Sequence, residues 1–220
     1  MVEFILASQS PRRRQLLTLT HYPFQVIAAD VDEESIMNPD PAGNAIETAV
    51  LKASHLQTTL PPGNQLILAA DTIVAIDDHM LGKPADNLSA TRMLQQLRNR
   101  THAVHTGLCL IDRTTQAVIT AVHSARVTMR NYGDGEIDAY VKSGDPFDKA
   151  GAYAIQHPVF QPVSHLDGCY LGVMGLSICH LLSLLAHMKI PNRASLTAVH
   201  NAHQQFPCPV LTTFQQTGEF

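Results

Sequence analysis

The sequence has little charge, and the charge it has is not basic. Charged residues make up 15% of its 220 residues and the formal net charge is −4, whereas soluble domains typically carry about 25% charged residues. Without a global basic field, the chain has nothing to hold DNA or RNA non-specifically. We therefore expect no nucleic-acid partner, although a small phosphate ester can still bind in a locally basic cleft.

Metal, redox and nucleophile motifs are also missing. The four cysteines form no CxxC pair, and the chain is too long to need disulfides, so we interpret Cys109, Cys169, Cys179 and Cys208 as buried free thiols. The 12 histidines include no HExxH pattern, and we interpret most of them as surface or hydrogen-bonded core residues. No GxSxG, Walker A or GxGxxG pattern occurs, which leaves serine hydrolase and P-loop chemistry without support.

No apolar run is long enough for a membrane span. The most apolar stretch, Leu171 to Met188, is interrupted by two histidines and two serines, and a spanning helix needs about 20 predominantly apolar residues. The chain opens with Glu3 where a secretory signal would carry basic residues. We therefore expect a cytoplasmic protein with no membrane partner.

The hydrophobic pattern predicts a mixed α/β fold. Capping residues and helical spacing predict helices that begin at Pro11, over about 42–57, after Asp86 or Asn87, after Asp134 and near Leu176. Short apolar runs predict strands over 4–7, 66–76, 103–111, 117–129 and about 152–156. The strands over 103–111 and 117–129 form an antiparallel hairpin, so the sheet is mixed. After Pro191 the pattern indicates a tail or a loosely packed extension.

The run from Ser8 to Arg14 is typical of an anion site. Ser10 is the expected helix cap, Pro11 the first helical residue, and three arginines follow. Free backbone N–H groups, the helix dipole and arginine side chains all favour a phosphate there. The alternative is a capped surface helix with solvated arginines.

Acidic residues supply candidates for a base or a metal ligand. Asp71 interrupts a buried strand, where a carboxylate is costly unless it is paired, hydrogen-bonded or bound to a metal. Glu33 and Glu34 follow the apolar run 24–29 and can supply a second carboxylate; the alternative is an exposed acidic loop.

Three lysines lie where their ammonium groups can be held in place. Lys52 shares the inward edge of the predicted 42–57 helix, while Lys83 and Lys149 lie in tight loops next to glycines. An inward lysine needs an anion or a carboxylate. Basic positions spread among carboxylates indicate a triphosphate with a metal rather than nucleic acid.

Six motifs occur in one order along the chain, at positions 6–13, 52–53, 70–72, 82–84, 102–107 and 148–156: LASQSPRR, KA, ADT, GKP, HAVHTG and DKAGAYAIQ. This series resembles the Maf family of nucleoside triphosphate pyrophosphatases over about residues 4–186. The resemblance implies an α/β fold with a long, mixed, twisted sheet flanked by helices and a cleft between two lobes, distantly related to inosine triphosphatases. It also implies hydrolysis of nucleoside triphosphates to the monophosphate and pyrophosphate with a divalent metal, Mg²⁺ or Mn²⁺.

The resemblance assigns roles to individual residues. Asp71 is implied to be the proton acceptor for the attacking water, and Glu33 or Glu34 is implied to bind the metal with it. The implied substrate-binding residues are Ser8, Ser10, Arg12, Arg13, Lys52, Thr72, Lys83, Lys149 and Gln156; of these, Arg12, Thr72 and Gln156 fall at specificity positions.

The DKAG…IQ form resembles the dTTP/UTP branch of the family, whereas the 7-methyl-GTP branch carries DCAG and a glutamate. The Gln156 amide can accept a hydrogen bond from N3–H and donate one to O4 of uracil or thymine. Two alternatives stay open: the same chemistry on another base, such as 7-methyl-GTP or a modified pyrimidine nucleotide, and a weakly active nucleotide-binding regulatory protein. The chain departs from the family pattern at Asp145, at His157 beside the base-reading position, and at Gly172 and Ser177.

The resemblance divides the chain unevenly. We expect a Maf-like domain over residues 1–188 and a C-terminal extension of unknown role over 189–220, which matches no part of the family pattern. A homodimer is the family-level expectation.

Overall fold

The computed structural model describes residues 2–77 and 79–217. Within them, seven strands form one mixed sheet with the order β2-β1-β3-β5-β6-β7, and β4 pairs with β3 as well. The strands are β1 (Phe4–Leu6), β2 (Phe24–Val26), β3 (Leu66–Ile76), β4 (His79–Leu81), β5 (Thr101–Asp112), β6 (Val118–Met129) and β7 (Val163–Asp167). β1 runs parallel to β2 and β3, and the other pairs are antiparallel. The predicted mixed sheet is confirmed.

Helices flank this sheet on both faces. They are α1 (Pro11–Leu17), α2 (Pro41–Thr59), α3 (Asn87–Leu97), α4 (Asp134–Lys142), α5 (Tyr170–Val173), α6 (Ile178–His187), α7 (Leu196–Ala202) and α8 (Pro209–Thr217). Short 3₁₀ turns lie at Glu33–Ser35, Asp145–Asp148 and Ala150–Ala152. α2 packs on one face of the sheet in a small core, and the other helices contribute to a larger core on the opposite face.

Close packing of α2 on the sheet depends on small residues. Ala45, Ala49 and Ala53 are fully buried on its inner side. Below it, Gly107 of β5 is required by the approach of the helix, since a Cβ there would lie 2.3 Å from the Ala45 carbonyl oxygen. Side chains alternate between the faces of a strand, so Asp71 of β3 faces α2 together with Ala69. This packing brings α2 and its lysine onto Asp71.

Several predicted elements lie where the sequence placed them. The strand over 66–76 coincides with β3, and the hairpin over 103–129 is β5 and β6. α2 is longer than predicted because Asp40 caps it at the Gly43 amide, one residue before Pro41. α3 is capped by Asp86, whereas the expected cap Asp134 is instead the first residue of α4, after Gly133.

The predicted strand over about 152–156 is wrong. The chain there forms the 3₁₀ turn Ala150–Ala152, in which Gly151 (φ 70°) and Ala152 (φ 60°) are left-handed and therefore end any extended run. Its apolar side chains are buried by packing rather than by strand pairing. The strand of this region is β7, seven residues beyond Gln156.

The loosely packed extension expected after Pro191 is also wrong. α7 and α8 form there and bury Val199, His203, Cys208 and Leu211 to 5% exposure or less. Each helix is too short to show an apolar stripe over several turns, which is why the sequence pattern missed them. Within the described residues, no helix is both long and apolar enough to cross a bilayer.

Candidate active site

A cleft lies along one edge of β3. On the edge opposite β5, β1 pairs with Leu66–Leu68 and β4 pairs with Val74–Ile76. Between these two partners, residues 69–73 of β3 have no strand on that edge in the described part of the chain. The resulting cleft has a volume of about 960 Å³ and separates β1 and α1 from β4 and the turn at 148–151.

Asp71 lies at the middle of this open edge. Its Oδ1 accepts a hydrogen bond from Lys52 Nζ of α2 at 2.7 Å, and both residues are buried to 8% exposure or less. Glu33, in the 3₁₀ turn before α2, places Oε2 2.8 Å from the same ammonium. Removing one partner of a buried ion pair leaves a charge uncompensated, so Lys52 and Asp71 depend on each other. The Glu33 side chain is 53% exposed and adds a second carboxylate on the solvent side.

The first wall of the cleft is the β1–α1 turn. Ser10 caps α1 and accepts a hydrogen bond from the Arg13 amide at 3.4 Å, as the sequence predicts. The Arg13 guanidinium donates to the Gly175 carbonyl at 2.8 Å, to Ser8 Oγ at 3.3 Å and to Thr72 Oγ1 at 3.2 Å. Burial lowers the pKa of Arg13, an effect that the charge of Asp71 opposes. Arg13 is therefore a fixed cation between the turn and β3.

The opposite wall carries Lys83 and Lys149. Lys83 is exposed and makes no ion pair within the described residues, so its ammonium is available to a ligand. Lys149 is buried, and its ammonium donates to Asp148 Oδ1 at 2.6 Å and to the Asp145 carbonyl, with Asp145 Oδ1 at 3.0 Å. Arg12 crosses the cleft to Asp148 Oδ2 at 2.9 Å. The two walls thus meet through one carboxylate.

Asp148 is a residue that sequence reasoning quoted only as part of a motif. Burial alone would raise its pKa, but the hydrogen bond from Lys149 and the charge of Arg12 lower the pKa below its usual value. Asp145 likewise has a lowered pKa because hydrogen bonds from Tyr140 and Lys149 outweigh its burial. The available signal was spacing, since Asp145 and Asp148 stand four and one residues before the buried lysine.

Gln156 and Thr72 complete the lining. Thr72 Oγ1 lies 3.0 Å from Thr106 Oγ1, which donates onward to the Gly172 carbonyl at 2.8 Å. The Gln156 amide makes no hydrogen bond within the described residues and lines the cleft. His157 does not line it: its ring packs against Tyr140, with centroids 4.8 Å apart, and its Nδ1 accepts the Phe160 amide at 2.9 Å.

The structure brings the sequence-predicted site residues together. All twelve line the one cleft: Ser8, Ser10, Arg12, Arg13, Glu33, Glu34, Lys52, Asp71, Thr72, Lys83, Lys149 and Gln156. The two glutamates differ, because Glu33 pairs with Lys52 whereas the Glu34 carboxylate makes no ion pair within the described residues. Of the two, Glu33 is the one next to Asp71.

The oxygen donors at Lys52 fit a hard divalent cation. Asp71 and Glu33 both reach one ammonium nitrogen, so their carboxylates converge on a shared positive charge. Carboxylate oxygens are the ligands that Mg²⁺ and Mn²⁺ prefer, and Mg²⁺ is usually held by one or two carboxylates with the rest of its shell from water and phosphate. The donor set suits a metal that shares its shell with a phosphate ligand.

The fold and the cleft define a class of protein: a mixed α/β protein with an anion-binding cleft. Arginines and lysines line the walls of this cleft, and a pair of carboxylates lies between them. The chain belongs to the Maf family: the family model described as Maf-like protein matches residues 3–188.

Curated relatives match over most of their length. The chain is 39% identical over 184 residues to a dTTP/UTP pyrophosphatase of Geotalea uraniireducens, covering 84% of this chain and 94% of that protein. It is 40% identical to a dTTP/UTP pyrophosphatase of Dehalococcoides mccartyi (84% and 82% covered) and 40% identical to one of Bacillus cytotoxicus (83% and 93%). Among solved structures, a HAM1 protein from Coxiella burnetii aligns over 85% of this chain and 100% of its own at 20% identity, with a TM-score of 0.45.

Proposed function

We propose that the protein is a nucleoside triphosphate pyrophosphatase that hydrolyses dTTP and UTP to the monophosphate and pyrophosphate. The observation that carries this proposal is the position of Asp71, midway along the open edge of β3 with Lys52 and Glu33 beside it and cations on both walls. The relatives named dTTP/UTP pyrophosphatase support the choice of substrate.

Asp71 is the proton acceptor in this proposal. Lys52 occupies Oδ1, and Oδ2 makes no hydrogen bond within the described residues, so a water can donate to it. The water oxygen forms a bond to the α-phosphorus while the bond from that phosphorus to the bridging oxygen of the β-phosphate breaks. Pyrophosphate leaves with the bonding electron pair, and Asp71 receives the water proton. General base catalysis of this kind contributes roughly 10²- to 10⁴-fold.

The cations orient the phosphates and stabilise the leaving group. Lys52 has three N–H donors, of which Asp71 and Glu33 engage two, so the third can reach a phosphate oxygen. Lys83 has its ammonium free within the described residues, and Arg13 is held rigid by three acceptors. Lys149 already has three acceptors for its three N–H donors, so it must exchange one of them to bind phosphate. Arg12 pairs with Asp148 but keeps further N–H donors for a phosphate. Preorganised positive charge at developing negative charge is a large source of rate enhancement.

Asp71 and Glu33 would hold the divalent cation, with Glu34 at the rim of the same cleft. When bound, such an ion supplies Lewis-acid stabilisation of phosphate charge and increases the acidity of a bound water. Without the cation, Lys52 still holds the two carboxylates close together, because its one ammonium group forms an ion pair with each of them.

Gln156 reads the base in this proposal. Its free amide can accept from N3–H and donate to O4, a pattern that uracil and thymine share. The His157 side chain does not obstruct this position, since it packs against Tyr140 outside the cleft.

The test is pyrophosphate release from UTP, dTTP, CTP, 7-methyl-GTP, GTP and ATP with Mg²⁺, with and without a chelator. We expect chelator-sensitive release that is fastest with UTP and dTTP. Fastest release with 7-methyl-GTP would overturn the base assignment and keep the chemistry. No release from any nucleotide, with UTP binding retained, would instead identify a nucleotide-binding regulatory protein.

The homodimer stays part of the proposal, and sedimentation equilibrium tests it.

A further inference from the structure

A second group of chemically distinctive side chains lies outside the cleft, where the C-terminal helices meet the sheet-covering helices. Cys169, Cys179, His203 and Cys208, here called the Cys₃His cluster, place four potential ligand atoms within 4.8 Å of one another. None of the four lines the cleft around Asp71. Sequence spacing gives no sign of this cluster, because the four residues come from four separate segments between positions 169 and 208.

Three of the six distances between the ligand atoms are close to those of a tetrahedral metal site, and all six are within 4.8 Å. His203 Nε2 lies 3.3 Å from Cys169 Sγ and 3.7 Å from Cys179 Sγ, and the Sγ atoms of Cys179 and Cys208 are 3.7 Å apart. Zinc with bonds of about 2.3 Å to sulfur and about 2.0 Å to nitrogen sets its ligands roughly 3.5 to 3.8 Å apart in a tetrahedron. Three thiols and one imidazole nitrogen therefore lie near the separations that one zinc ion requires, and small side-chain shifts would complete the tetrahedron.

The cluster is closed to solvent. Cys169 and Cys179 are fully buried, and His203 and Cys208 are exposed by only 2% and 5%. A structural zinc site has four protein ligands and no open position, unlike a catalytic site. Cys₃His is one of the usual ligand sets of such sites.

Neighbouring groups orient the ligands. His203 Nδ1 lies 2.7 Å from the Val199 carbonyl, an acceptor that fixes the proton on Nδ1 and leaves the Nε2 lone pair directed at the sulfurs. Ser177 Oγ donates to Cys169 Sγ at 3.4 Å. Hydrogen bonds of this kind hold the tautomer of a ligating histidine and support a ligating thiolate.

We propose that the Cys₃His cluster binds one Zn²⁺ ion, which ties the C-terminal extension to the Maf domain. Sulfur ligands in tetrahedral geometry select zinc over the hard cations that suit Asp71 and Glu33. Cys169 and Cys179 lie within the family match over 3–188, at the start of α5 and in α6. His203 ends α7 and Cys208 precedes α8, both beyond the match. The ion therefore gives the described part of the extension, residues 189–217, a role as a helical segment fastened to the core by metal.

A disulfide between Cys179 and Cys208 is the competing chemistry, because their sulfurs are neighbours. It would consume two ligands and leave Cys169 and the His203 nitrogen without a metal to share. A disulfide uses only two of the four donor atoms, so the convergence of all four favours the metal.

The test is the zinc content of the full chain, purified under reducing conditions without added metal and measured by inductively coupled plasma mass spectrometry. We expect one zinc per chain, retained in excess Mg²⁺. Cys208→Ala and His203→Gln should lose it. The controls Cys109→Ala, a buried thiol outside the cluster, and His200→Gln, an exposed histidine on α7, should keep it. Asp71→Asn should also keep it, which separates this site from the cleft.

A spectroscopic measurement guards against variants that fail to fold. Replacement of zinc by Co²⁺ in the wild-type chain should give thiolate-to-cobalt charge-transfer bands and the visible bands of tetrahedral coordination. A chelator that competes with the cysteine thiolates for zinc should lower the melting temperature of the wild type. The same chelator should leave the melting temperature of folded Cys208→Ala unchanged. A wild-type chain without zinc that binds Co²⁺ no more tightly than Cys208→Ala, or one that contains a Cys179–Cys208 disulfide after purification, would overturn the proposal.

Discussion

The proposed chemistry depends on Asp71 more than on any other side chain. It stands in a run of apolar residues, and the structure gives it a lysine on one oxygen and an open cleft on the other. A carboxylate in such a strand needs partners, and that requirement alone identifies Lys52 once α2 is placed over the sheet. The same requirement explains why Lys52 can point inward from α2.

Replacing Asp71 with asparagine keeps the size of the side chain and removes its capacity to accept a proton. We expect kcat for UTP to fall by roughly 10²- to 10⁴-fold, while binding of UTP without Mg²⁺, measured by calorimetry, is retained. The matched control is Asp77→Asn at the turn after the same strand. Asp77 has φ 50° and is exposed, and asparagine tolerates this conformation. Unchanged turnover in Asp71→Asn would mean that another group accepts the proton.

Gln156 is the residue on which the substrate preference depends. The Gln156→Glu variant loses the donor to O4 and sets a carboxylate against that oxygen, so we expect kcat/KM for UTP and dTTP to fall about 10- to 100-fold. Steady-state kinetics on UTP and 7-methyl-GTP measure the change in preference. Gln95→Glu, on the exposed side of α3, should leave both values unaltered. Equal losses for both nucleotides would show that Gln156 does not read the base.

At the scale of elements, the contact between α2 and β5 positions the charged triad. Gly107→Ala would place a Cβ 2.3 Å from the Ala45 carbonyl oxygen, and backbone cannot move aside as a side chain can. We expect a loss of unfolding free energy of about 1–3 kcal/mol together with reduced kcat, because α2 carries Lys52. The measurements are urea denaturation and UTP hydrolysis.

Gly135→Ala in α4 is the control for this variant. Nothing lies within 4 Å of a Cβ at this position, and alanine has a higher helix propensity than glycine. It should therefore leave activity unchanged and stability equal or higher. A Gly107→Ala protein as stable as the wild type would contradict the packing argument.

Sequence predicts the elements that carry their own local signals. β3 is a long apolar run, Ser10 and Asp86 cap their helices, and the turn at 113–116 closes a hairpin. Elements without such signals were missed or misplaced. The apolar run after Gly151 is buried without pairing, and β7 is a short strand with three exposed residues in five.

Residues of the candidate site are likewise predictable where they carry a local signal. An aspartate in an apolar strand and a lysine on the inner edge of a helix are both energetically costly without partners, so each stands out in the sequence. The choice between Glu33 and Glu34 was not predictable, since a 3₁₀ turn decides which one reaches Lys52. The Cys₃His cluster was invisible for a further reason: it depends on tertiary packing of α5, α6, α7 and the start of α8.

At the scale of the whole molecule, buried neutral histidine makes stability depend on pH. Burial lowers the pKa of His102 to about 4, below the ordinary 6.5. Between these values the unfolded chain binds a proton that the folded protein does not, so stability falls as the pH drops from about 6.5 to about 4. This one histidine contributes about 1.4 kcal/mol per pH unit in that range.

Urea denaturation at pH 7, 6 and 5 measures this dependence. His102→Gln should show a shallower loss of stability between pH 6 and pH 5 than the wild type, whatever its stability at pH 7. The exposed His165→Gln on β7 should follow the wild-type slope. An unchanged slope in His102→Gln would mean that His102 does not titrate differently in the two states.

In the proposed reaction, water attacks the α-phosphorus of a nucleoside triphosphate in the cleft beside Asp71. The most direct measurement is hydrolysis of UTP in water enriched in ¹⁸O, followed by mass spectrometry of the products. We expect ¹⁸O in UMP and none in pyrophosphate. Label in pyrophosphate would show attack on the β-phosphorus, and release of labelled orthophosphate would show attack on the γ-phosphorus; either result would contradict the account.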